Sequence, residues 1–214
     1  SLPEAGAPQD TAGNGANERF AGFTRDLFVN SLQANGLTLN YTLVDPDAWD
    51  ISRRIEQPLG FFSPESWLED QRAIRDELDW LHGFDRNTLS PAQKLTWDVL
   101  EYYLLRQNEY AGMELHGDLL GPIYGAHTSL PIMLAEFRLG CKEDIELYLD
   151  LLEDFPRCFD EIALFEEYRA KAGYFMDDAQ LDKLLQFCRQ EADEAVGGLL
   201  RDSFAYRLAG LDWL

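Results

Sequence analysis

Ser63 to Gly83 reads SPESWLEDQRAIRDELDWLHG. Ser63 is a helix cap, because a serine hydroxyl accepts from an orphan N–H of the first turn. Pro64 takes the first helical position, where a missing N–H costs nothing and φ is already set. Trp67, Leu68, Ile74, Leu78 and Leu81 follow at helical spacing, and Gly83 closes the run. The device recurs at Asp45-Pro46 and at Ser90-Pro91. A chain punctuated this way is built of helices.

Working outward, Asn17 is a candidate cap for a helix carrying Phe20, Phe23, Leu27, Phe28 and Leu32, stopped by Asn35-Gly36. Leu37 to Phe62 is irregular apart from one short helix at Asp45-Pro46. The Ser90 helix is expected to turn Leu95, Val99, Tyr102, Tyr103 and Tyr110 inward and to end at Gly112. From Met113 to Ser129 the pattern breaks: Gly117, Gly121, Pro122 and Gly125 are too dense for a regular element. A long loop inside a compact helical protein is more often functional than accidental. A short helix at Pro131–Phe137, an acid-first helix from Lys142 to Leu152, one from Pro156 to Gly173 and one from Asp178 to Val196 follow. Gly197-Gly198 is expected to stop the last. No segment alternates with period 2. The expectation is an all-α, irregular multi-helix bundle of about six to eight helices with antiparallel neighbours and no 34-residue repeat.

The two ends differ from the body. Residues 1–17, small and polar, are expected to form a flexible tether, leaving 18–214 as the helical domain. The chain shows no initiator Met, basic n-region or apolar h-region. Such a tether often follows a cleaved export signal or a lipid-anchored N-terminus, so an extracytoplasmic or cell-surface location is favoured and a cytoplasmic one stays open. Leu199–Leu214 grows more apolar toward its end, whereas domain ends are usually polar. It either docks on this domain or belongs to structure outside the chain, and the second is favoured.

Eighteen basic against 39 acidic residues give a net charge of −21, which repels phosphate backbones and disfavours nucleic acid. With 46% hydrophobic and 13% aromatic residues the chain can fill a core, which excludes a disordered acidic tail. No apolar run approaches the roughly 18 residues a membrane span needs. Cys141, Cys158 and Cys188 are an odd count without CxxC spacing, so three thiols are favoured over a disulfide framework.

Catalytic patterns are scarce. His82, His116 and His127 form no HExxH, and Asp79 with His82 is a single pair where a di-metal bundle needs two. Asp45, Asp47 and Asp50 lack the spacing and the glycine of a calcium loop. Neither a GxSxG elbow nor a phosphate-cradling glycine loop occurs. Glu166-Glu167 and Glu191–Glu194 are expected to be solvated helix faces. No catalytic residue, metal ligand or resident cofactor is assigned.

Four segments carry a resemblance: LNYTLVDPDAW (Leu39–Trp49), LSPAQKLTWDVLEYYL (Leu89–Leu104), GPIYGAHTSLPIML (Gly121–Leu134) and CKEDIELYLDLLEDFP (Cys141–Pro156), continued by Phe165–Phe175. In this order they resemble the N-terminal half of the bacterial family catalogued as domain of unknown function 885. The resemblance implies an all-helical, zinc metallopeptidase-like protein of the HExxH type with a deep substrate cleft, often exported as a lipoprotein. It also implies that the zinc motif lies in a C-terminal half beyond this chain, which alone is then inactive. On this reading zinc is expected only in that part, and the partners are a peptide substrate and the C-terminal half. Gly121 and Pro122 become candidates for lining the cleft. Tyr124 and His127 could contact a peptide backbone or terminus, and Arg138 could clamp a carboxylate. The plain alternatives are a tyrosine over a turn, a solvated histidine and a surface ion pair. The family usually has Thr or Ser where Cys141 stands, so the helix starting there is expected to fray. The competing function is a non-catalytic extracytoplasmic binding module whose acidic face collects basic peptides or cations.

Overall fold

A computed structural model describes residues 11–190 and 196–211. Among the described residues there are nine α-helices and no strand, so the all-α expectation holds. They are α1 (Thr11–Gln33), α2 (Gly36–Thr42), α3 (Pro64–His82), α4 (Pro91–Glu109), α5 (Ala126–Ala135), α6 (Lys142–Glu153), α7 (Phe155–Lys171), α8 (Asp178–Gln190) and α9 (Val196–Ala209). None is long and apolar enough to cross a membrane. The chain divides into two compact units, one formed by residues up to Phe28 with Leu68–Ala111, the other by Val29–Trp67 with residues from Gly112 onward.

The first unit packs Phe20, Leu81, Leu89 and Leu104 as its buried centre, with Phe23, Ile74, Leu78, Phe84, Trp97 and Leu100 around it. Ser90 and Gln93 form a capping box at the start of α4. α1 begins at Thr11, ahead of Asn17, so Asn17 is not its cap. Instead its Oδ1 accepts from the Ser90 N–H (2.9 Å) and its carbonyl accepts from Gln93 Nε2 (2.8 Å). The first ten residues of the expected tether lie outside the described residues.

The expected inward face of α4 is the outward one. Leu95, Val99, Tyr102, Tyr103 and Tyr110 are all more than half exposed. α4 carries apolar side chains all round, so spacing alone does not choose its face. Trp97, Leu100 and Leu104 win because the Trp97 indole N–H reaches the Leu81 carbonyl (3.0 Å) while its ring stays in the core. On α3, Leu81 is fully buried and Leu68 is exposed. Trp67 and Leu68 are adjacent and cannot share a helix face.

In the second unit the core comprises Leu37, Leu59, Leu130, Leu134, Phe137, Leu139, Leu147, Tyr148, Leu151, Cys158 and Ile162. Asn35 ends α1 and also caps α2, its Oδ1 accepting from the Thr38 N–H (2.9 Å). α2 therefore occupies part of the stretch expected to be irregular. Asp154, Arg157 and Glu161 tie α7 to the 59–62 segment. Asp154 accepts from the Leu59 N–H (3.0 Å), and Arg157 donates to the Gly60 carbonyl (2.7 Å). Gly173 stops α7 with a left-handed φ of 87°, and the Tyr174 N–H returns to the Arg169 carbonyl (2.9 Å).

α9 corrects two expectations. Gly197 and Gly198 fall in its first turn instead of ending α8, and residues 191–195, with the Glu191–Glu194 run, lie outside the described residues. The apolar tail docks on its own unit: Phe204 stacks on Tyr148 (centroids 4.8 Å, planes 5° apart), and Leu200, Leu208 and Leu211 join the core. Ser203 donates to the Ala135 carbonyl (2.7 Å), and Arg207 donates to the carbonyls of Leu134 and Phe137. The Leu134 and Ala135 carbonyls belong to the last turn of α5, where carbonyls lack an intrahelical partner, and Phe137 lies two residues beyond the helix. Trp213 and Leu214 lie outside the described residues.

Candidate functional site

The glycine-rich loop of the second unit is more ordered than its composition suggests. A single 3₁₀ turn at Glu114–His116 opens it, and α5 starts at Ala126, five residues before the expected start at Pro131, which sits inside the helix. Gly125 caps α5, and the hydroxyls of Thr128 (2.9 Å) and Ser129 (3.1 Å) donate to its carbonyl. The Gly125 N–H donates to the Gly121 carbonyl (2.9 Å), and the Ala126 N–H to that of Leu119 (2.8 Å).

Close approach explains the glycines. A Cβ on Gly125 would stand 2.7 Å from both Nδ1 and Cε1 of His127 and would overlap the Gly121 carbonyl oxygen. A Cβ on Gly121 would stand 2.7 Å from an Asp118 carboxylate oxygen. Neither position needs a left-handed backbone; Gly125 needs the absence of a side chain because it meets backbone, whereas at Gly121 only the half-exposed end of Asp118 would have to shift.

Behind the loop, Arg169 is a buried anchor from α7. Its Nε donates to the Leu115 carbonyl (3.1 Å), its Nη1 lies 3.0 Å from both Glu166 carboxylate oxygens, and Asp118 stands 4.0 Å away. His127 is only 8% exposed, with its ring edge-on to Phe187 of α8 (centroids 5.0 Å). Its Nδ1 is buried and has no hydrogen-bond partner. Burial pushes its pKa down, and the Asp118 charge partly offsets this. A neutral imidazole with one uncommitted nitrogen is therefore held directly beneath the loop.

The structure brings Gly121 and His127 together. It places Pro122 and Tyr124 at the exposed loop tip, Tyr124 at 88%. His127 is not a solvated loop histidine. Arg138 stands apart from the loop: its guanidinium donates to the Leu43 carbonyl, its N–H donates to Asn40 Oδ1 (3.0 Å), and its carbonyl accepts from Asn40 Nδ2 (2.9 Å). It is committed to joining α2 to the end of α5. Asp118, Arg169 and Phe187 complete the site and were not legible, because Arg169 reaches Leu115 and Asp118, and Phe187 reaches His127, across dozens of residues.

The described residues do not fit a zinc ion. No group of three His, Cys, Asp or Glu side chains among them is placed to hold a metal. His82 pairs with Glu101 (3.0 Å) instead of Asp79, and His116 meets the Tyr174 hydroxyl (3.3 Å). In the 45–50 segment, Asp45 accepts from the Ala48 N–H (3.3 Å) and Asp47 from Arg53 (2.9 Å). The three cysteines are free thiols.

A cleft of about 820 Å³ in the same unit lies between residues 52–56 and α6. Its charges are internally matched at the base: Arg53 bridges Asp47 and the buried Asp144 (2.9 Å each), and Asp144 also accepts from the Gly140 N–H (2.8 Å). Cys141 occupies the N-cap of α6 and makes no side-chain cap bond.

Comparison with known proteins gives one match. The family model described as bacterial protein of unknown function (DUF885) covers residues 49–206, about three quarters of the chain, and the chain belongs to that family. No curated protein and no solved structure matches it.

Proposed function

We propose that this member of the DUF885 family forms the helical, substrate-side wall of a zinc-dependent peptidase-like protein whose metal centre is supplied by residues outside this chain. The observation that carries the reading is the family match, which contains three of the four resembling segments in order and reaches the last residue of the other. The ordered glycine loop is the part of the wall best suited to a peptide. Its tip presents Tyr124 to solvent on a backbone fixed by the Gly121–Gly125 and Leu119–Ala126 hydrogen bonds. A preorganised loop loses little entropy when an extended peptide lies against it. His127 acts through the loop: it supports the backbone from beneath and touches no substrate. Zinc would supply the activated water of a metallopeptidase, and no step is assigned to it in this chain. The family resemblance also supports an extracytoplasmic, lipid-anchored location.

A longer product tests the reading. The chain joined to the sequence following Leu214 in its reading frame is expected to hydrolyse peptides and to lose activity to a chelator. Failure of that product, folded and zinc-loaded, to cleave any member of a mixed peptide library would overturn the proposal. A second reading, a self-contained binding module, draws support from α9, whose apolar face is buried on its own unit through Phe204 and Tyr148.

A further inference from the structure

The first unit carries an open cleft of about 730 Å³ between one stripe of α1 and the end of α3. Arg19, Gly22, Phe23 and Asp26 line it from α1; Asp79 and Trp80 line it from α3, with Gly83 and Phe84 beyond. The four α1 positions are spaced i, i+3, i+4 and i+7, so they form one face. Trp80 is 66% exposed, and its indole stacks on Phe23 (centroids 6.1 Å, planes 13° apart). Phe23 in turn packs on Phe84 (5.6 Å) and reaches the core. One face of the indole is thus braced by the protein while the side chain stays largely open to solvent. At Gly22 a Cβ would meet nothing within 4 Å, so the middle of the stripe is empty space.

We propose that this cleft binds the arginine side chain of a basic peptide segment, with the guanidinium stacked on Trp80 and paired with Asp26 and Asp79. The inference concerns a site separate from the glycine loop and stands independently of the peptidase reading. Charge complementarity selects the occupant. Two carboxylates face one arginine in the lining, and the chain as a whole carries −21. An anionic ligand is repelled, and a second copy of this chain brings a further −21. A purely apolar ligand would leave the carboxylates unmatched. A flat guanidinium both stacks on an aromatic face and accepts a carboxylate fork, whereas an ammonium is a compact, strongly hydrated point charge. Arg19 stands about 10 Å along α1 from Asp26 by helical rise, far enough to pair with an acidic group on the same peptide.

The test titrates the full chain with N-acetyl-Gly-Arg-Gly-amide and with its citrulline counterpart, following the Trp80 indole N–H by NMR. Only the arginine peptide is expected to shift Trp80 saturably, and raising salt from about 0.05 to 0.5 M should weaken it. Gly22→Leu fills the cleft without changing charge, and Trp80→Leu removes the stacking face together with the indole signal, so binding to that variant is read from the backbone N–H of Gly83, which also lines the cleft. Each should weaken binding about five-fold or more, as should Asp26→Asn with Asp79→Asn. Circular dichroism and the unshifted remainder of the NMR spectrum serve as the fold control for each variant. If Gly22→Leu fails to fold, the exposed Trp80→Leu carries the test. Equal binding of the citrulline peptide, or equal binding by Trp80→Leu, would overturn the proposal, exposing general attraction to an acidic protein. A Trp80 shift that tracks protein concentration without peptide would overturn it in favour of self-association.

Discussion

Gly125→Ala should destabilise the protein by about 2 kcal/mol, although its backbone (φ −62°, ψ 150°) suits alanine well. The effect is steric. The new methyl would overlap the Gly121 carbonyl oxygen and stand 2.7 Å from His127 Nδ1 and Cε1. His127 is packed against Phe187 and has little room to retreat, and the Gly121 carbonyl is held by the Gly125 N–H itself. Overpacking of this kind costs about 1–3 kcal/mol, and loosening that hydrogen bond adds about 1 kcal/mol. Loss of unfolded-chain entropy returns about 0.4–1 kcal/mol. Urea unfolding followed by circular dichroism reads the sum, with the m-value expected to stay constant. A double-mutant cycle separates the two contacts. In the His127→Ala background the imidazole contact is gone and the carbonyl contact remains, so Gly125→Ala should still cost about 1 kcal/mol. Wild-type stability for Gly125→Ala, or complete rescue by His127→Ala, would refute the close-packed loop.

Other outcomes follow from the same geometry. Asp144→Ala leaves the Arg53 guanidinium without its buried partner and should cost about 3–5 kcal/mol, while Asp47→Ala, on the exposed side of the same arginine, should cost under about 1 kcal/mol; urea midpoints compare them. Gly22→Ala, inside α1 and facing open space, should stabilise by about 0.5–1 kcal/mol, read as a raised melting temperature. Burial holds the His127 pKa below its ordinary 6.5, so the unfolded chain protonates first as pH falls. Stability is therefore full above about 6.5 and declines below it, and His127→Gln should flatten that decline in unfolding measured from pH 7 to about 5. Burial pushes the Cys158 thiol up to about 11, so a thiol reagent at about pH 8 should modify exposed Cys188 promptly and Cys158 only on unfolding.

Local punctuation was legible in the sequence because it is local physics. Ser90 with Gln93, Pro64, the acid-first turn of α6 and Gly173 act within one turn of themselves, and each stands where its chemistry places it. What failed was the choice among apolar faces. α4 offers two, and a single indole N–H reaching Leu81 decides between them. α9 escaped because a Gly-Gly pair reads as a stop, yet tertiary packing of Phe204 on Tyr148 and the Arg207 bonds to α5 outweigh glycine's poor helix propensity. In the glycine loop, the density of glycines marked the place. The reason for them, an imidazole and a carboxylate pressed against bare backbone, depends on how Asp118 and His127 fold back onto the loop. The guanidinium of Arg138, read as a carboxylate clamp, donates to the Leu43 carbonyl, roughly a hundred residues upstream in the chain.

The central claim, that this chain is a wall without its own reactive centre, is tested most directly by one paired measurement on the purified 214-residue polypeptide. Zinc content after a chelator wash is measured together with hydrolysis of a mixed peptide library. Far less than one zinc per chain and no cleavage above background are expected. Stoichiometric zinc retained together with peptide hydrolysis would contradict it.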